Sequence, residues 1–200
     1  MAHYEFVSQN LEYGVENRRR EAAENDRAAI RDGRIPARWT TATTEGIECR
    51  LCARRCVIAS GKAGFCGARW NDAGVLRTRF YGRPISAAID PIEKKPLYHF
   101  LPGTPILSLG TFGCTLACRF CQNWKISRSL PMGEIVRNIM TSEEIVAMAR
   151  ARRCPSVAFT YNEPTVWAEF VIDVAKLCRQ EGIKTVAVTN GTIAGAARED

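Results

Sequence analysis

The stretch Ile106-Leu107-Ser108-Leu109-Gly110-Thr111-Phe112-Gly113-Cys114-Thr115-Leu116-Ala117-Cys118-Arg119-Phe120-Cys121-Gln122-Asn123 decides how this chain is read. It opens on a short apolar run that ends at a glycine, the pattern of a buried strand entering a tight turn. The loop that follows spaces Cys114, Cys118 and Cys121 as C-x3-C-x2-C. Three thiolates from one loop can wrap a soft metal centre and leave one coordination position for an exchangeable ligand. A structural zinc site ordinarily takes four protein ligands, and the nearest histidine, His99, lies well upstream of the loop. An incomplete iron–sulfur site is therefore the expected chemistry.

Downstream, residues 157–161 and 185–189 are two further β-rich runs separated by helical patterns. One helix is predicted over residues 141–153, with Thr141 as N-cap and Glu144 completing a capping box. The next opens at Pro164, carries Trp167, Phe170, Val171, Val174, Leu177 and Cys178 at three-and-four spacing, and stops at Gly182. Alternating strands and helices predict parallel βαβ units, which place ligand-binding loops at the carboxyl ends of the strands. The cysteine loop, Asn162 with Glu163, and Asn190 with Gly191 all fall at such ends. Asn162 and Glu163 also read as a helix cap before Pro164, and Asn190-Gly191 as an ordinary turn, so both roles stay open.

After Pro105 the chain has room for about three βα units, too few to close a barrel. The expected fold is α/β, with an incomplete TIM-like βα barrel whose last strand leaves an unpaired hydrophobic edge, as in a fragment of a longer enzyme. Three segments are expected: an N-terminal helical segment at 1–44, a four-cysteine module with short strands at 45–104, and the N-terminal part of a truncated barrel at 105–200.

In the middle segment Cys49, Cys52, Cys56 and Cys66 are spaced C-x2-C-x3-C-x9-C, with Gly61, Gly64 and Gly67 supplying turns. Four soft ligands suit either tetrahedral zinc or a fully ligated second [4Fe–4S] cluster, and spacing alone does not separate them. A turn at residues 71–74, a strand at 75–81 and an extended piece at 85–89 follow, before Pro91, Pro96, Pro102 and Pro105 punctuate a linker-like region. Arg50, Arg54, Arg55, Lys62 and Arg69 surround the cysteines, which makes a nucleic-acid-binding zinc ribbon the competing reading from another class. Phe65 and Trp70 give it thin aromatic support, and nucleic acid is not an expected partner. Cys154 and Cys178 lie outside both clusters and read as core thiols.

The 200 residues include nine cysteines but two histidines, with 46% hydrophobic and 24% charged residues, an ordinary composition for a folded soluble protein. No stretch is long and apolar enough for a membrane helix, and residues 1–17 lack a signal-peptide core, so a cytoplasmic protein with reduced thiols is expected. Residues 9–35 are rich in Arg, Glu, Asp and Ala and favour a solvated helix, since Glu21, Glu24 and Asp26 interrupt the basic run. The formal charge of +7 treats every cysteine as neutral; with seven of them as ligands it falls to about +4.

The C-x3-C-x2-C loop with Phe120 directly before its last cysteine resembles the signature of radical S-adenosylmethionine enzymes. Residues 83–97, the run Phe120-Cys121-Gln122-Asn123-Trp124 and the run Tyr161-Asn162-Glu163-Pro164-Thr165 are similar to the AmmeMemoRadiSam-system radical SAM enzymes, relatives of pyruvate formate-lyase activating enzymes. The resemblance implies that Cys114, Cys118 and Cys121 hold a [4Fe–4S] cluster whose fourth iron binds S-adenosylmethionine. It implies that Phe120 lies near the adenine and that Asn162, Glu163 and Asn190 serve the cofactor. Where relatives carry two glycines before the acidic residue, this chain has Tyr161 and Asn162. The implied activity is reductive cleavage of S-adenosylmethionine to a 5′-deoxyadenosyl radical that takes hydrogen from a substrate, with glycyl-radical activation as the alternative. The implied partners are a low-potential electron donor such as flavodoxin or ferredoxin, and companion proteins of the same system. Arg119 and Lys125 read as solvated charges near the cluster rather than catalytic groups.

Overall fold

The computed structural model describes residues 24–33, 35–128 and 139–200. Of the expected N-terminal helix, residues 9–23 and Arg34 lie outside the described residues, while residues 24–31 are helical. Arg27 pairs with Glu144, and Ile30 is buried against the turn at Gly82. Arg83 Nη2 donates to the carbonyls of Ile30 and Arg31 at 2.7 and 2.9 Å.

The cysteine-rich segment is built from small antiparallel pieces. Strands β1 (Thr40–Thr43), β2 (Gly46–Cys49) and β3 (Val57–Ile58) form one sheet, and β4 (Arg69–Asp72) pairs with β5 (Val75–Thr78) in a hairpin. The hairpin turn uses Ala73 and Gly74, both at positive φ, and Asn71 Oδ1 accepts from the Gly74 N–H at 2.8 Å. Two successive left-handed residues match the twist of the flanking strands. The expected strand at 75–81 ends at Thr78, because Phe80 turns into the core and Gly82 reverses the chain at positive φ.

A four-stranded sheet follows in the order β6 (Ser86–Pro91), β7 (Pro105–Gly110), β8 (Ser156–Phe159), β9 (Lys184–Ala187). The pairs β7–β8 and β8–β9 are parallel, as expected; β6 adds antiparallel to β7, with Ser86 opposite Gly110 and Pro91 opposite Pro105. The sheet thus begins inside the 45–104 stretch rather than at residue 105. It is open: among the described residues β6 and β9 each pair on one side only, and no barrel closes. Lys184, Thr185 and Ala187 on β9 are exposed, so the terminal strand is mostly solvated.

The two crossover helices, Ser142–Ala151 and Ala168–Gln180, lie on the same face of this sheet. Leu107 and Leu109 of β7 and Val157 and Phe159 of β8 pack there with Ile145, Ala149, Phe170, Val174 and Cys178 in one core cluster. The alternate residues, Ile106 on β7 and Ala158 on β8, face the other side, where they meet Ile92. The predicted capping box is present: the Glu144 N–H donates to Thr141 Oγ1 and the Thr141 N–H to Glu144 Oε2. The second helix starts as a 3-10 turn, Pro164–Trp167, before becoming α-helical at Ala168. Cys154 and Cys178 are core thiols, and burial pushes Cys178 up to about 11. No helix among the described residues is long and apolar enough to cross a membrane.

Candidate metal and cofactor site

The chain leaves β7 at Gly110 and returns to regular structure in the short helix Trp124–Ser127, so residues 111–123 form a loop at the carboxyl end of a largely buried strand. Asn162, just past the end of β8, grips the start of that loop from both sides. Its Oδ1 accepts from the Thr111 N–H at 3.2 Å, and its Nδ2 donates to the Gly113 carbonyl at 2.7 Å. The far end is tied to the same neighbour, with Asn123 Nδ2 donating to the Tyr161 carbonyl at 2.6 Å. Tyr161 sits at φ 73°, and its ring lies over Gly110, where a Cβ would come within 2.8 Å of it.

Within the loop Cys114 and Cys121 are half-buried and Cys118 is exposed. Cys114 Sγ accepts the Leu116 N–H at 3.4 Å, and Asn190 Nδ2 lies 3.9 Å away; the Cys121 thiol faces Ser127 Oγ at 3.8 Å. Burial raises the Cys114 thiol, the Leu116 N–H opposes that, and the nearby Glu163, Cys118 and Cys121 add to it. Backbone and side-chain N–H groups are thus already directed at the Cys114 sulfur. Among the described residues no group of three or more His, Cys, Asp or Glu side chains is gathered as a ready-made metal site. The donor set nonetheless fits a three-thiolate cluster: soft ligands on one loop, backbone and side-chain N–H groups toward sulfur, and no fourth protein ligand beside them.

The other expected cofactor residues lie around this loop. Glu163 is 1% exposed; its Oε1 accepts from the Thr165 N–H at 2.9 Å and Thr189 Oγ1 at 2.7 Å, and its Oε2 from the Asn190 N–H at 2.8 Å. It therefore caps the Pro164 turn and fixes the end of β9. Asn190 Nδ2 also donates to Thr115 Oγ1 at 3.0 Å, while its Oδ1 accepts from the Thr192 N–H and hydroxyl. In this structure Asn162, Glu163 and Asn190 bring three strand ends together around Cys114. Phe120 is 87% exposed in this loop, and Trp124 at the start of the short helix is also largely exposed.

Cys49, Cys52, Cys56 and Cys66 line one small cavity of about 20 Å³ together with Arg54, Arg69 and Thr115. Burial pushes the Cys49 thiol up to about 11, with Arg69 opposing, and also raises Cys52. Arg69 is 1% exposed and makes a bidentate pair with Glu169 at 2.5 and 2.7 Å, yet its Nε–H has no partner. Two of the other cations around these cysteines, Arg54 and Arg55, are engaged. Arg54 and Arg128 stack over the Phe65 ring at 3.4 and 4.2 Å, and Arg55 pairs with Glu48.

A polar group missed by sequence reasoning lies beneath the Tyr161 ring. Asp90 Oδ2 accepts from Lys95 Nζ and the Tyr161 hydroxyl, both at 2.9 Å, and Oδ1 from Lys94 Nζ at 2.8 Å. Lys95 Nζ also stands 4.6 Å from the Tyr161 ring centroid. Both stretches, around Asp90 and around Tyr161, lie within the runs that carry the family resemblance, but an adjacent Lys-Lys ordinarily reads as solvated surface.

Residues 108–199 match the family model of the Radical SAM superfamily, so a domain of that superfamily is present and includes the three-cysteine loop. Its members are enzymes that ordinarily use a [4Fe–4S] cluster and S-adenosylmethionine. Over 147 residues the chain is 48% identical to an uncharacterized protein of Methanocaldococcus jannaschii, a match covering 74% of this chain and 44% of that protein. The chain thus spans less than half the length of this relative. No solved structure matches it.

Proposed function

We propose that this chain contributes the cluster-bearing part of a radical SAM enzyme that generates a 5′-deoxyadenosyl radical to remove hydrogen from a substrate. The observation that carries the reading is the position of the C-x3-C-x2-C loop at the carboxyl end of β7, held by Asn162 and Asn190 from the ends of β8 and β9. Parallel strands with both helices on one face support the proposed start of a βα barrel, and barrel enzymes work at the carboxyl ends of their strands.

Cys114, Cys118 and Cys121 are the proposed cluster ligands. When bound, the cluster and S-adenosylmethionine supply the electron transfer and radical chemistry. The chain's own residues orient the loop: Asn162 fixes its entry, Asn123 its exit, and Glu163 the β9 end that carries Asn190 to Cys114. Phe120 and Trp124 offer apolar surface for an adenine or for the face of an electron donor. A flavodoxin or ferredoxin is the proposed reductant, consistent with Arg119 and Lys125 near the loop. Nine free thiols fit the proposed cytoplasmic setting, and the likeness of residues 83–97, 120–124 and 161–165 supports a proposed role in the AmmeMemoRadiSam group with companion proteins.

The test is anaerobic reconstitution with iron and sulfide, followed by measurement of methionine and 5′-deoxyadenosine under a strong reductant. Cleavage is expected, and it should vanish in Cys118→Ala. Full cleavage by that variant would remove the assignment.

A further inference from the structure

We infer that Cys49, Cys52, Cys56 and Cys66 form a mononuclear tetrathiolate zinc site that clamps the three-cysteine loop to the N-terminal module. All four line one cavity, although they come from the end of β2, the turn after it and the approach to β4. The cavity, about 20 Å³, exceeds only slightly the ~10–15 Å³ needed by one water-sized particle. It lies among four soft ligands that together can close a tetrahedral shell around one ion.

The surroundings suit the charge of such a centre. Four thiolates around Zn2+ carry a net charge of −2, which a dry cavity disfavours unless donors and cations face the sulfurs. Arg69 lines the cavity, is almost wholly buried, and keeps its Nε–H free after giving both terminal nitrogens to Glu169. An unpartnered buried N–H is costly, and a thiolate sulfur is the acceptor it lacks. Backbone N–H groups of Leu51 and Arg54 already support the sulfurs of Cys49 and Cys52.

Residues between these ligands make the contacts to the radical SAM segment. Arg54 Nε donates to the Thr115 carbonyl at 2.5 Å, the Ala53 N–H to the Thr192 carbonyl at 3.0 Å, and the Ala194 N–H to the Leu51 carbonyl at 3.1 Å. Gly113 passes so close to the Cys66 carbonyl that any Cβ would collide with it. An ion that fixes residues 49–56 and Cys66 therefore fixes the backbone on either side of Cys114.

This site stands whether or not the loop holds a cluster, and the experiment separates the two. The full chain with Cys114, Cys118 and Cys121 all changed to Ala is purified anaerobically, and zinc and iron are counted. About one zinc and no iron per chain is expected. Four irons with visible absorbance, one iron, or no metal would each overturn the proposal. In the same triple variant, a mercurial should release one zinc as the four ligand thiols react, and hydrogen exchange at residues 113–115 and 192–194 should then rise at least tenfold. Unchanged exchange after zinc release would overturn the clamp.

Discussion

The Asn162 Nδ2 donates to the Gly113 carbonyl at 2.7 Å, one residue before the first cysteine of the loop. Because Asn162 Oδ1 also takes the Thr111 N–H, one amide closes a ring across the point where β7 becomes the loop. Asn162→Ala removes both bonds and leaves a backbone donor and acceptor without their partner. The expected cost is about 1–3 kcal/mol in denaturant unfolding. Reconstituted protein should also lose iron to a chelator several-fold faster, and release at the unsubstituted rate would show that Asn162 does not position the loop.

Gly113 tests the junction between the two cysteine groups. It has φ 91°, and its missing Cβ admits the Cys66 carbonyl. Gly113→Ala incurs both backbone strain and a collision, an expected loss of about 3 kcal/mol. Gly74→Ala has open space around its Cβ and meets only the strain of φ 94°, so it should cost less. Equal melting temperatures for the two variants would count against the close approach.

The contrast between these sites explains what could be read from the residues. The loop cysteines, the capping box at Thr141 and Glu144, and the β7, β8 and β9 runs are local patterns, and the structure places each near its expected position. Strands β1, β2 and β3 are only two to four residues long, below the length at which alternation declares itself. The antiparallel β6–β7 pair escaped because proline-rich residues 91–105 read as a linker rather than a long connection between sheet neighbours. Arg69 with Glu169 and Asp90 with Tyr161 are long-range meetings, 100 and 71 residues apart, that no spacing rule encodes. Asn162 and Glu163 were legible as candidates, but their partners Thr111, Gly113, Thr189 and Asn190 depend on strand order.

Arg69 and Glu169 give a double-substitution test. Arg69→Met leaves a buried carboxylate uncompensated and is expected to cost about 3–5 kcal/mol. Arg69→Met with Glu169→Leu removes both charges and should recover most of that loss, measured by denaturant unfolding of metal-free protein. The same double variant should bind zinc more weakly, because the cavity loses a buried N–H donor beside the sulfurs. A double variant as unstable as Arg69→Met alone would mean that Glu169 acts mainly through its other bond, from the Arg38 N–H at 2.8 Å.

Asp90 predicts an acid-sensitive fold. Burial alone would raise its carboxyl, but hydrogen bonds from Lys94, Lys95 and Tyr161 outweigh that and hold it well below the ordinary carboxylate range. An unfolded aspartate titrates near about 3.9, so the folded chain binds this proton less readily than the unfolded chain. The stability it contributes is therefore complete above about pH 5 and shrinks as pH falls below the unfolded value toward the lower folded one. Asp90→Asn should be destabilised at pH 7, where Lys95 is left buried without its carboxylate. Its stability should also fall less steeply than that of the unsubstituted protein as pH drops from 5 to about 2.5, so that the two unfolding curves converge. A gap of constant size across that range would show that Asp90 gains nothing from ionisation in the fold.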